Sequence, residues 1–235
     1  MIPKIIHYCW FGRGQMNAKS KKCLASWKKY CPDYKIIEWN EDNFDLDMNA
    51  YTRTTYANRQ YAFLSDYVRL LVVQKYGGIY LDTDVELVRA LDPLLHEHAY
   101  FGFENNEYVN TGVGFGAEAG APVLAAMLAE YEPLLDGEHG VIGCPKLNTA
   151  ALEKLGLQLD GQKQEVAGAT IYPVDFFNPY DDPTGRLNRT ANTYSIHWYA
   201  KNWMDKKTVL KSNLTRPLHR FLGVDFFARI KNGKR

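Results

Sequence analysis

The chain has 235 residues, 46% hydrophobic and 23% charged, with a formal net charge of +1. That length suits one large domain or two small ones and buries roughly 70% of the unfolded surface without covalent staples. No run approaches the roughly 20 apolar residues of a membrane span, and Met1-Ile-Pro-Lys-Ile-Ile-His reads directly into a strand instead of a signal peptide. Cys9, Cys23, Cys31 and Cys144 form no CxxC pair and read as reduced, buried thiols of a cytosolic protein.

In chain order, Lys4 to Trp10 is an apolar, β-rich run ending in the turn Phe11-Gly12-Arg13-Gly14. Asn17 then offers an N-cap for a helix through Tyr30, closed by Pro32. Tyr34 to Trp39 is a second strand, so the opening reads β-α-β. From about Thr55 to Tyr76, apolar residues recur at spacings of three and four, which predicts an amphipathic helix packed on a sheet, ended by Gly77-Gly78 as a left-handed cap. Ile79-Tyr80-Leu81 is a short buried strand, and Val85 to Val88 resumes β character. Further strands are expected at 99–104, 112–117, 170–174 and 194–199, with a helix over 122–135. Strands alternating with helices imply an α/β sheet, largely parallel, whose ligands lie at the carboxyl ends of its strands. Residues 206–235 carry nine Lys or Arg against the single acid Asp225, a charge of +8 that leaves −7 on residues 1–205. This basic, amphipathic tail reads either as an arm for an anionic surface or as a solvated helix balancing the body.

The chemistry centres on Asp82-Thr83-Asp84. Two acids two apart in extended chain point the same way, and past a buried strand both carboxylates meet one point at the sheet edge. A hard divalent cation, Mn²⁺ or Mg²⁺, takes such ligands and bridges them to substrate phosphates. Two solvated turn acids are the alternative, and the preceding apolar strand and Gly-Gly turn favour a site. A DxD after an apolar run also fits phosphatases of the haloacid dehalogenase type, but Glu86 stands where that pattern wants Thr or Val. Trp10, before Phe11-Gly12, lies either open at a strand's end or in the core. Asp66 and Arg69, three apart on a helix, share a face and make at least an ion pair. Asn110, opening Asn-Thr-Gly-Val-Gly-Phe-Gly, either hydrogen-bonds sugar hydroxyls or belongs to a plain turn.

Three segments, Ile5-Ile-His-Tyr-Cys-Trp-Phe-Gly12, Ala62-Phe-Leu-Ser-Asp-Tyr-Val-Arg69 and Gly77-Gly-Ile-Tyr-Leu-Asp-Thr-Asp84, together resemble glycosyltransferase family 32. These DXD-containing sugar transferases of bacterial capsule and lipopolysaccharide loci are related to yeast initiating mannosyltransferases and, more distantly, to the glucosylating clostridial toxins. The resemblance runs over most of residues 1–205. It implies a GT-A fold, a mostly parallel central sheet flanked by helices, and a retaining transfer from a nucleotide sugar.

The resemblance also implies roles. Trp10 would stack on the nucleotide base, Asp66 would meet ribose or base, and Arg69 would lie near nucleotide or sugar. Asp84 and His197 would hold the metal directly, with Asp82 touching metal, ribose or sugar. His197 opens a late segment in which Lys201 would reach phosphate and Trp203 would close over the diphosphate, although Lys201-Asn202 replaces the Gly-Ser common in relatives. Asp82, Asp84 and Asn110 are the candidate catalytic residues. The expected protein is a 1–205 transferase domain with a helical tail over 206–235. It would move a hexosyl unit from a UDP-linked sugar to a glycan or lipid-linked oligosaccharide in surface polysaccharide synthesis. It would work in the cytoplasm at the inner face of the cell membrane, with no nucleic acid as partner. A phosphatase and a non-catalytic sugar-nucleotide or glycan-binding protein are the competing classes.

Overall fold

The computed structural model describes residues 1–200, 215–217, 219–221 and 223. The chain opens as expected, with β1 (Ile5–Cys9), α1 (Ala18–Tyr30) and β2 (Lys35–Trp39). Asn17 caps α1, its Oδ1 accepting from the Ser20 amide at 2.9 Å. The buried stripe of α1 is Ser20, Cys23, Ser26 and Trp27.

The single helix expected over 55–76 is two, α2 (Ala50–Ala57) and α3 (Tyr61–Tyr76). Between them Arg59 takes a φ of +57°, and the Asn58 and Arg59 amides turn back onto the Thr54 and Tyr56 carbonyls. Neither Gly nor Pro stands in this break, so apolar periodicity runs through it unmarked. α3 ends where Gly77-Gly78 predicts, but the cap is not a simple left-handed one, because Gly77 pairs a φ of +64° with an extended ψ of −178°. A side chain on Gly78, at a φ of +110°, would come within 2.8 Å of the Ile5 carbonyl oxygen. Glycine here lets the chain reverse from the helix straight into a strand beside β1.

The remaining core elements are β3 (Gly78–Tyr80), β4 (Val85–Leu87), β5 (Ala99–Gly102), β6 (Phe115–Ala117), α4 (Pro122–Ala129), α5 (Cys144–Lys154), β7 (Gln164–Val166) and β8 (Ala169–Tyr172). Seven strands form one sheet in the order β2-β1-β3-β6-β5-β8-β7. β1 pairs parallel with β2 and β3, and β5 with β8, while β6 and β7 join antiparallel. Five of the seven strands therefore point one way, and the mostly parallel α/β sheet is as expected. Alternation along the strands feeds two cores: Tyr80, Phe101 and Phe115 pack with α3 residues Tyr67 and Val68, whereas Ile6, Ile79 and Tyr100 pack with Trp27 of α1.

A short helix α6 (Val174–Phe177), the pair β9 (Tyr180–Asp181) and β10 (Arg186–Leu187), and β11 (Ser195–His197) complete the described fold. The helix expected over 122–135 stops at Ala129 and is followed by a 3₁₀ turn at Glu132–Leu134. Helix α5 and strand β7 are additions that the sequence reading did not contain. The basic tail 206–235 lies mostly outside the described residues. Within it 215–217 and 219–221 are helical, and Arg216 pairs with Asp182 at 2.5 Å.

Candidate active site

β1 and β3 run parallel with His7 beside Tyr80, so their carboxyl ends deliver Trp10 and Asp82 to one edge of the sheet. Asp82-Thr83-Asp84 is not extended there. The Val85 amide donates to the Asp82 carbonyl at 2.9 Å, so the two acids converge through a tight turn, not through strand alternation. The reason is β4, which leaves the main sheet directly after this turn to pair with β11. That antiparallel pairing sets His197 opposite Val85 and so beside Asp84. Ligand atoms of Asp82, Asp84 and His197 lie within 4.8 Å of one another, and His197 Nε2 is 3.4 Å from Asp84 Oδ1.

Each carboxylate is held. The Arg69 guanidinium, brought by α3, reaches Asp82 Oδ1 and Oδ2 at 2.9 and 3.2 Å and Asp66 Oδ1 at 3.0 Å. The Tyr80 hydroxyl donates to Asp82 Oδ1 at 3.0 Å. Asp84 accepts the Trp198 amide on its carbonyl at 3.0 Å and the Ala200 amide on Oδ2 at 2.8 Å. Burial pushes the Asp82 carboxyl up to about 6, with Arg69 pulling the other way. Burial also opposes ionisation of Asp84, but His197 and the Ala200 amide outweigh it and hold that group below its ordinary value. Burial lowers His197, and the two aspartates more than reverse this, raising it.

The donor set fits a divalent cation. Asp66 and Asp82 share one guanidinium and Asp84 faces His197, so three largely buried carboxylates outnumber the positive groups beside them. Two hard oxygens and an imidazole face a common point, a mixture that Mn²⁺ accepts.

Asn110 joins the same network. Its Oδ1 accepts from the Gly112 amide at 2.6 Å, capping a 3₁₀ turn at Thr111–Val113. The expected strand over 112–117 is shortened by this turn to β6. A Cβ on Gly112 would lie 2.8 Å from Asp82 Oδ2, 3.0 Å from Asn110 Oδ1 and 3.2 Å from Arg69 Nη1, so the absence of a side chain lets this turn close on the acid. Trp10 stands half-buried at the same sheet edge, outside the hydrogen-bonded network, its indole donating to the Gly14 carbonyl at 2.7 Å. Lys201 and Trp203 lie outside the described residues.

Some of this site went unread in the sequence. Cys144 donates its amide to Asp66 Oδ2 at 3.1 Å and its thiol to Asn110 Oδ1 at 3.2 Å, and burial keeps it a thiol. Pro145, at the first turn of α5, was the available signal for a helix start. Tyr80 reads as ordinary strand filler, and only its register shows the hydroxyl turning onto Asp82.

The fold is that of the GT-A glycosyltransferases. The solved structure titled "PaToxG Glycosyltransferase" superposes with a TM-score of 0.53 at 20% identity, covering 65% of this chain and 69% of that one. Residues 17–101, which include Asp66, Arg69, Asp82 and Asp84, match the family described as a glycosyltransferase sugar-binding region containing a DXD motif. The inositol phosphoceramide mannosyltransferase 3 of Schizosaccharomyces pombe is 37% identical over 107 residues, 42% of this chain and 29% of the relative. A mannosyl phosphorylinositol ceramide synthase of Saccharomyces cerevisiae is 32% identical over 106 residues, 40% of this chain and 26% of the relative. The match thus spans less than a third of these relatives' lengths. No described helix is long and apolar enough to cross a membrane.

Proposed function

We propose that this chain transfers a hexosyl unit from a nucleoside diphosphate sugar to a hydroxyl of a glycan or lipid-linked acceptor. The observation that carries the reading is the convergence of Asp82, Asp84 and His197 at the carboxyl edge of a GT-A sheet. When bound, a divalent ion there would neutralise charge on the departing diphosphate. Arg69 favours the ionised form of Asp82 and aims it, His197 and the Ala200 amide do the same for Asp84, and the Trp198 amide fixes the Asp84 backbone. Trp10 offers an indole face at the sheet edge for the nucleotide base, a contact worth roughly 1–3 kcal/mol. The Asn110 oxygen is used inside the protein, so a sugar hydroxyl would be met by its amide nitrogen. No protein nucleophile is invoked. In a retaining transfer the leaving phosphate oxygen takes the acceptor's proton while the protein orients both partners. Retention, surface polysaccharide as product and a UDP-linked donor follow from the resemblance, and work at the inner face of the membrane from the +8 charge of residues 206–235. The names of the relatives favour a mannosyl unit instead.

A phosphatase that attacks through the first acid is disfavoured. Asp82 is engaged on both oxygens by Arg69 and on one by Tyr80, which leaves it a poor nucleophile. The test is a panel of UDP- and GDP-linked hexoses incubated with the purified protein, with and without Mn²⁺. The reading expects Mn²⁺-dependent release of the nucleoside diphosphate from one donor class. Tight nucleotide-sugar binding without any turnover would support a non-catalytic binding protein, and phosphate release from generic esters would support the phosphatase.

A further inference from the structure

The imidazole of His197 lacks the usual means of fixing a metal-ligating histidine. Such a ring normally donates from its second nitrogen to a carboxylate or carbonyl, but His197 Nδ1, though buried, has no hydrogen-bond partner among the described residues. What lies against it is Tyr199, whose ring centroid is 4.2 Å from that of the imidazole at a 45° tilt. Tyr199 takes a φ of +47°, a backbone region that bulky residues rarely occupy and that needs support from its surroundings. The support is at its hydroxyl, which donates to Glu104 Oε1 at 3.0 Å and accepts from Asn178 Nδ2 at 2.7 Å. Asn178 Nδ2 also donates to the Glu104 carbonyl at 2.9 Å, so the clamp is tied to the segment just past β5. The left-handed residue sits between Trp198 and Ala200, whose amides both bond Asp84.

We infer that Tyr199 is a positioning residue: clamped by Glu104 and Asn178, it holds the His197 ring and the 198–200 turn in the geometry that presents imidazole and Asp84 to a divalent cation. The inference rests on the metal reading of the Asp82-Asp84-His197 cluster. It assigns Glu104 a role through its acceptor oxygen, not through its charge.

The experiment is a Mn²⁺ titration of the full chain, followed by electron paramagnetic resonance of the free ion, on wild type, Tyr199→Phe, Glu104→Ala and Glu104→Gln. Loss of an outer-shell contact should weaken Mn²⁺ binding about tenfold in Tyr199→Phe and in Glu104→Ala. Glu104→Gln should bind as wild type, because its amide oxygen accepts the same hydroxyl. Wild-type affinity in Tyr199→Phe and Glu104→Ala overturns the inference, and so does a Glu104→Gln loss equal to that of Glu104→Ala. If Tyr199→Phe fails to fold, the two variants at half-buried Glu104 decide the matter. A wild type that binds no Mn²⁺ would sink the metal reading first, and this inference with it.

Discussion

Gly112→Ala is a one-carbon test of how tightly the acid pair is built. Gly112 does not occupy the left-handed region, so the substitution adds no backbone strain and acts through space alone. The new methyl would stand 2.8 Å from Asp82 Oδ2, and ordinary contact begins at 3.4 Å, so the oxygen must retreat by about 0.6 Å. That oxygen is not free to swing, because its carboxylate is tied to Arg69 at 2.9 and 3.2 Å and to Tyr80 at 3.0 Å. A retreat of that size stretches at least one charge-assisted bond beyond hydrogen-bonding range, a loss of about 1.5–3 kcal/mol. The overpacking cost known for cores, about 1–3 kcal/mol, is of the same size. For a chain of this length each kcal/mol moves the melting temperature by about 2–4 °C, so a fall of about 5 °C is expected by calorimetry. Mn²⁺ affinity, read by titration on the same protein, should weaken with it. An alanine variant with unchanged melting temperature and unchanged Mn²⁺ affinity would refute the claim that this turn packs against a pinned Asp82.

Asp84→Ala should abolish Mn²⁺-dependent nucleotide binding and transfer together, measured by thermal shift and diphosphate release, and near-full turnover would remove the central reading. Arg69→Met leaves Asp66 and Asp82 buried without their shared counter-charge and should cost about 3–5 kcal/mol in urea unfolding at neutral pH. That loss should shrink in acid, as the two carboxyls protonate. As pH falls, Mn²⁺ affinity should drop first as His197, held above its ordinary value, takes up the proton it must lose to ligate, and more steeply below about pH 6. The Asp82 carboxyl, raised to about 6, takes up a proton there and ceases to be a ligand; calorimetric titration at several pH values checks the slope. Deleting residues 206–235 should reduce co-sedimentation with anionic liposomes if the +8 tail docks on lipid, and equal sedimentation of both forms would dismiss that arm.

Much of this molecule was legible without a structure because its signals are local. The Asn17 cap, the apolar strands at Ile5–Cys9 and Lys35–Trp39, the Gly77-Gly78 stop and the acids that follow it are all read from neighbours a few residues apart. Chain direction and short-range sterics decide such features, so the sequence suffices for them. What tertiary structure alone decided is contact across distance. Asp84 meets the amide of Ala200, 116 residues further on, only because β11 pairs with β4. Cys144 reaches Asp66 and Asn110 only because α5 packs on α3 and on the Thr111 turn. The convergence of Asp82 and Asp84 through a turn, and the pairing of Arg69 with both Asp66 and Asp82, likewise depend on which strand leaves the sheet and where. Hydrogen bonds and ion pairs act over about 3 Å of space and are indifferent to separation along the chain, so the partners of a buried charge become known only when the fold is.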